Sequence, residues 1–176
     1  MEFSNPQKNV QKLHLTEGMH VADFGAGSGD YALALAARVG ATGFVYAIDI
    51  QKDLLLKLKR DAEARRLKVE VIRGDLDQEG GSKLGSESMD AAIVSNILFQ
   101  ADQKEVLAKE VYRILKPDGY AMVIDWSDSF GNIGPIPEHV IKKEVGRDIF
   151  LKAGFELDRE FEAGSHHWGL IFKKGK

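Results

Sequence analysis

Residues 20–32 read HVADFGAGSGDYA. An apolar, strand-like run ends in Asp23, then Gly25, Gly27 and Gly29 alternate, and an Ala/Leu-rich helical stretch follows. Glycine is needed where a side chain would block a ligand or where φ must be positive. A helix N-terminus adds unpaired N–H groups and a partial positive charge. A strand that feeds a glycine turn and then a helix is therefore built to hold a polar ligand against bare backbone.

Working outward from this turn, short apolar runs alternate with longer amphipathic stretches. Strands are expected over 20–26, 43–50, 68–74, 89–95 and 120–126, and helices over 30–39, 52–66, 102–115 and 138–153. Runs such as VYAIDI (45–50), DAAIVS (90–95) and AMVIDW (121–126) suit strands buried on both faces, as in a parallel sheet. Residues 155–162 and 168–174 read as two further strands joined only by AGSHH. A link that short cannot make a parallel crossover, so these two form an antiparallel hairpin. The fold class is α/β: a doubly wound, mostly parallel seven-stranded sheet, Rossmann-like, ending in an antiparallel hairpin. A short helix is expected over 4–13, with Pro6 near its first turn. Residues 80–88, GGSKLGSES, read as a surface loop, and residues 127–137, SDSFGNIGPIP, as a mobile loop able to form a lid. Residues 1–176 read as one domain.

The bulk properties exclude several function classes. At 176 residues the chain suits one domain with a sizeable core. Its net charge of −3 offers no overall basic field, so nucleic acid is not expected as a partner. Cysteine is absent, which removes disulfides, zinc–thiolate sites and a cysteine nucleophile together. Residues 1–11, MEFSNPQKNVQ, lack the apolar core of a signal peptide, and no apolar run is long enough for a membrane span. The expected location is cytoplasmic, and no metal site is expected.

Two ligands compete for the glycine turn. The dinucleotide fingerprint is G-x-G-x-x-G, but its third glycine falls here on Asp30. A carboxylate at that point would repel a pyrophosphate. The pattern present is D-x-G-x-G-x-G, and an acid just before the glycines suits a ligand with a positive group. S-adenosylmethionine carries an ammonium and a sulfonium, while its carboxylate suits the N–H groups of the turn. Asp49 ends the second strand 20 residues past Gly29 (49 − 29), about where a carboxylate takes ribose hydroxyls. Asp75 follows the third strand and sets another acceptor at the adenine edge. Asp49 as a helix cap and Asp75 as a turn residue are the competing structural readings. Asp30 reads as a first-turn helix acid.

VADFGAGSGDYA, AIDI, RGDL, MDAAIVSNILFQ and LKPDGYAMVIDW, in this order, resemble the motif series of class I S-adenosylmethionine-dependent methyltransferases. The opening stretch resembles that of small stand-alone members, in which the N-terminal segment lies near the cofactor pocket. The resemblance implies a methyltransferase with S-adenosyl-L-methionine as cofactor and S-adenosyl-L-homocysteine as product. It implies that Asp23, Gly25, Gly27 and Gly29 surround the methionine part and that Asp49, with Ile50 beside it, binds ribose. Asp75 and Leu76 would meet adenine, and Ser95 would lie beside the reactive methyl.

The acceptor is not named by these motifs. In open α/β sheets ligands lie outside the carboxyl ends of the strands, where the turn carrying His166 and His167 also falls. Histidine can take an acceptor's proton near neutral pH, so His166, His167 and Ser95 are the catalytic candidates, against a role for the histidines as mere turn decoration. Methyl transfer draws much of its acceleration from placement alone. The SNIL after the fourth strand departs from the Asn/Asp-Pro-Pro-Tyr/Phe of enzymes that methylate planar exocyclic amines. The expected partner is a small molecule or a protein side chain. The rival readings are an S-adenosylmethionine-binding protein without turnover and a nicotinamide-dependent oxidoreductase.

Overall fold

A computed structural model describes residues 4–131 and 133–176. A helical turn, α1 (Pro6–Val10), precedes β1 (His20–Phe24), α2 (Asp30–Val39), β2 (Phe44–Asp49), α3 (Lys52–Ala64) and β3 (Val69–Arg73). There follow β4 (Met89–Ser95), α4 (Lys104–Ile114), β5 (Leu115–Trp126), α5 (Lys143–Lys152), β6 (Phe155–Gly164) and β7 (His167–Lys174). The sheet runs β3-β2-β1-β4-β5-β7-β6. The first five strands pair in parallel, and β7 runs antiparallel to both β5 and β6. This is the doubly wound sheet with a C-terminal hairpin that the alternation of elements predicts.

The strand faces divide the core. Val21, Ala91, Ile93, Met122, Ile124 and Ile171 pack with Leu35, Val39 and Leu58 under α2 and α3. Ala22, Phe24, Ala92, Val94, Val123 and Phe172 pack with Leu107, Ile114 and Phe150 under α4 and α5. Because neighbouring residues of a strand alternate between faces, an apolar residue at nearly every position means helices on both sides. Among the described residues no helix is long and apolar enough to cross a membrane.

Some boundaries depart from the sequence pattern. β5 begins at Leu115 rather than 120, because Leu115 pairs with Met89 before pairing resumes between Tyr120 and Ala91. The intervening KPDG bulges out, with Asp118 at φ +63°. The helix expected over 138–153 starts only at Lys143. Upstream, Pro137–His139 is a single 3-10 turn, and the Ile141 carbonyl accepts from Trp168 Nε1 at 2.9 Å. That bond ties the segment to β7 while the chain is still extended. At the start of the chain, α1 spans five residues, not ten.

Close approach decides where glycine is required. Gly29 sits at φ +87° as the N-cap of α2, and a Cβ there would lie 2.3 Å from Leu58 Cδ1. Bare backbone at this point lets α3 pack on the turn. Gly29→Ala is expected to cost about 1–3 kcal/mol from backbone strain alone, read as a lowered midpoint in urea unfolding. Combining it with Leu58→Ala should cost less than the sum of the two single changes, because the pair shares one space.

Candidate active site

The pleat brings the chemistry to one side of the sheet. Asp23 pairs with Ile93, Ser95 pairs with Ile124, and Trp126 pairs with His167. Residues two apart in a strand share a face, so Asp23, Ser95, Trp126 and His167 all project toward the side that carries α1 and α2. Each lies at the carboxyl end of the parallel strands; β7, running the other way, begins there.

The glycine turn is braced by its neighbours. Gly25 and Ala26 donate to the Ile48 carbonyl at 2.9 and 3.0 Å, and Gly27 donates to Asp49 Oδ2 at 2.8 Å. Asp49 Oδ1 accepts from the Gln51 N–H at 2.8 Å. Asp49 therefore fastens the turn and also holds the residue that caps α3. These bonds occupy three of the N–H groups that the sequence pattern offers to a ligand carboxylate. Gly25, at φ +74°, lies under Ile97, with Ile97 Cδ1 2.4 Å from where a Cβ would be. Gly27, at φ +51°, faces open space.

A cavity of about 540 Å³ opens over this turn, a size usual for a small-molecule site. Of the residues named as cofactor-binding, Asp23, Gly25, Gly27, Asp49, Ile50, Asp75, Leu76 and Ser95 line it. Gly29 does not: it faces Leu58. Among the described residues, five carboxylates line the cavity, those of Asp23, Asp30, Asp49, Asp75 and Asp77, and no lysine, arginine or histidine does. Asp75 also closes its own turn, Oδ1 accepting from the Asp77 N–H at 3.1 Å. Ile50 is 56% exposed, an apolar wall open to an incoming group.

Asp23 is the least satisfied of the five. It is 1% exposed, the Ala32 N–H donates to its carboxyl, and its Oδ2 is buried without a partner. Burial, with smaller contributions from Asp49 and Asp30, pushes this carboxyl up to about 7. Ser95 Oγ and Asn96 Oδ1 are likewise buried without a full hydrogen bond. Asn96 turns left-handed at φ +55°, which asparagine tolerates better than most residues.

Several site residues carry no signal in the sequence. Asn9 Nδ2 donates to Tyr31 Oη at 2.9 Å, to Ser4 Oγ at 3.1 Å and to the Ala163 carbonyl at 2.9 Å. Ser4 and Tyr31 line the cavity, and their oxygens lie 2.6 Å apart. The partners of Asn9 are up to 154 residues away, so no local pattern reveals the cluster.

The two histidines separate. His166 Nδ1 lies 2.8 Å from Asp128 Oδ1, and its ring lies 4.2 Å from that of Phe130. It faces the loop after β5 rather than the cavity. That loop is also tied by the Ser127 N–H to the His166 carbonyl, at 2.8 Å. His167 is 5% exposed, its ring 4.3 Å from that of Trp126, and neither ring nitrogen has a partner. It lines a second cavity, on the far side of Asn9. Burial, helped by His166, pushes it down to about 4, so it is neutral at pH 7.

The methyltransferase domain family matches residues 21–119 of this chain. The chain belongs to that family. The solved S-adenosylmethionine-dependent methyltransferase from Aquifex aeolicus is 28% identical, with a TM-score of 0.86 over 97% of this chain and 90% of that one. The ubiquinone/menaquinone biosynthesis C-methyltransferase of Hydrogenovibrio crunogenus is 33% identical over 67% of this chain and 46% of its own length. The [4+2]-cyclase SpnF, 16% identical with a TM-score of 0.82, shares the fold alone. The chain spans about half the length of the curated relatives it matches.

S-adenosylmethionine is accordingly the cofactor of this methyltransferase domain, and the cavity suits it. An orphaned buried carboxyl and a wall whose charged side chains, among the described residues, are all acidic favour a cation, and the same wall would repel the pyrophosphate of a dinucleotide. The folded state holds the Asp23 proton more tightly than the unfolded chain does. The Asp23 contribution to the stability of ligand-free protein should therefore be lost as pH rises from about 4 through about 7. Asp125, pushed up to about 6 by burial, adds to the lower part of that loss, whereas His167, pushed down from 6.5 to about 4, opposes it between those two values. Asp23→Asn should flatten the slope by at most about 1.4 kcal/mol per pH unit, measured by denaturant unfolding at a series of pH values.

Proposed function

We propose that this protein moves the methyl group of S-adenosylmethionine to a small-molecule acceptor by in-line displacement. The observation that carries this reading is the cavity wall: among the described residues it has five carboxylates and no cationic side chain, and Asp23 Oδ2 is buried without a partner. When bound, the cofactor supplies a methyl on a sulfonium, and the sulfur–carbon electron pair returns to sulfur as the methyl leaves.

The residues divide the task. Asp23 takes the ammonium of the methionine part and so regains a charged partner. Asp49 spends one lone pair per oxygen on the Gly27 and Gln51 N–H groups. A carboxylate oxygen has a second, and these are available to the ribose hydroxyls. Asp75 and Leu76 meet the adenine end, with Ile50 covering it. Gly25 and Gly27 keep the turn low enough for close approach. Gly29, assigned to the ligand by the motif, instead keeps α3 against the turn. Ser95 and Asn96 flank the reacting methyl. His166 holds the loop after β5 and takes no part in proton transfer; of the catalytic candidates, His167 and Ser95 remain on the site's side of the sheet.

Calorimetry tests the donor half. S-adenosylmethionine and S-adenosylhomocysteine should both bind, and Asp49→Ala should weaken both at least tenfold. At pH 6.5, in buffers of different ionisation enthalpy, binding should release a fraction of a proton, since an ammonium beside Asp23 favours its charged form. Asp23→Asn should abolish that release. Absence of binding by either compound overturns the proposal. Binding with no methylated product from any acceptor favours a cofactor-binding protein without turnover.

A further inference from the structure

A second cavity, of about 670 Å³, lies between α1 and the β6–β7 turn. Its wall is polar and differs in charge from the first. Among the described residues Lys8, Lys12 and His167 line it, with one carboxylate, Glu162. The two cavities are back to back: Asn9 lines the second, and its side-chain amide bonds Ser4 and Tyr31, which line the first. His167 is deeply buried at this wall with both ring nitrogens unpartnered. A buried polar group without a partner is costly, and it marks a place where an incoming donor or acceptor would be gained. Register puts His167 beside Trp126 and two steps along the same face from Ser95, on the side of the sheet to which the methyl is delivered.

We propose that this second cavity receives the methyl acceptor, that His167 meets the acceptor's O–H or N–H, and that the acceptor is a small hydroxy- or amino-carboxylate. The inference rests on the methyl-transfer reading above. A neutral imidazole offers one donor and one acceptor nitrogen, which suits a protonated heteroatom. As that heteroatom's lone pair forms the bond to carbon, its proton becomes strongly acidic and passes to the free imidazole nitrogen, then to solvent. A base that is weak at rest suffices for this step. The carboxylate of the acceptor lies toward Lys12, so donor and acceptor enter walls of different charge. The Asn9–Tyr31–Ser4 cluster stands between them, and reaction requires the acceptor to displace part of it.

The test uses the full chain, labelled with 15N at histidine and saturated with S-adenosylhomocysteine. Titration with 4-hydroxybenzoate and with glycine should shift the ring resonances of His167 for at least one of them. Reduced menadione, an apolar hydroquinone, should leave them in place. Lys12→Met should weaken the binding of the responding probe about fivefold, the scale of one exposed ion pair, and His167→Gln should weaken it further. Neither variant should change S-adenosylhomocysteine affinity by calorimetry. If neither polar probe shifts His167, or only reduced menadione does, the inference is overturned. If S-adenosylhomocysteine itself does not bind, the donor reading falls instead, and this inference falls with it. Lys12 is half-buried, with its ammonium over the Phe161 ring and outside the sheet's core, so its variant keeps the test decisive if the buried histidine variant folds poorly.

Discussion

Three left-handed glycines between β1 and α2 are the constraint on which this molecule turns. At Gly25 and Gly29 a side chain would run into Ile97 and Leu58, so the turn is pressed between the loop after β4 and the body of α3. The carboxylate of Asp49 completes the brace by holding the Gly27 and Gln51 N–H groups together. Fixed this way, the turn cannot rise into the space above β1. That space becomes a cavity whose floor is backbone and whose sides are the acids ending successive strands. The same brace explains how Asp23 persists as a buried, half-satisfied carboxyl. The sheet and the turn hold it at the wall of that cavity with 1% exposure, and their packing offsets the cost.

The fold was readable because the central strands β1, β2, β4 and β5 carry apolar runs that alternate with amphipathic helices, and the hairpin link was too short for anything but an antiparallel return. The meeting of Asp23, Asp49 and Asp75 around one cavity was readable for the same local reason: each stands at or just past the end of a strand, where position along the chain is position in space. Where reading fell short, the cause was non-local. Gly29 looked like its companions until α3 packed on it. His166 and His167 are adjacent in sequence, yet β7 begins between them, and one ring goes to the loop while the other enters the wall. The late start of α5 depends on a bond between Ile141 and Trp168, 27 residues apart.

Among the described residues the charged lining of the first cavity is acidic and that of the second is mixed, although the chain as a whole is only slightly negative. The difference follows from topology. The parallel strands on one side of the switch end in acids, whereas the wall near the hairpin is furnished by α1, a segment outside the sheet. Fold alone does not choose a reaction, and here both lysines that line the second cavity come from that opening segment.

That segment is the least self-sufficient part of the protein. A helix of five residues lies below the length at which helices hold themselves together in water. α1 persists through Asn9, Val10 and their neighbours, with Asn9 reaching at once to α2 and β6. Its opening free energy is therefore the cost of that contact and not of the whole sheet. Amide exchange in α1 would follow a local opening that leaves the seven strands intact, and traffic between solvent and the interior would run on the timescale of that opening.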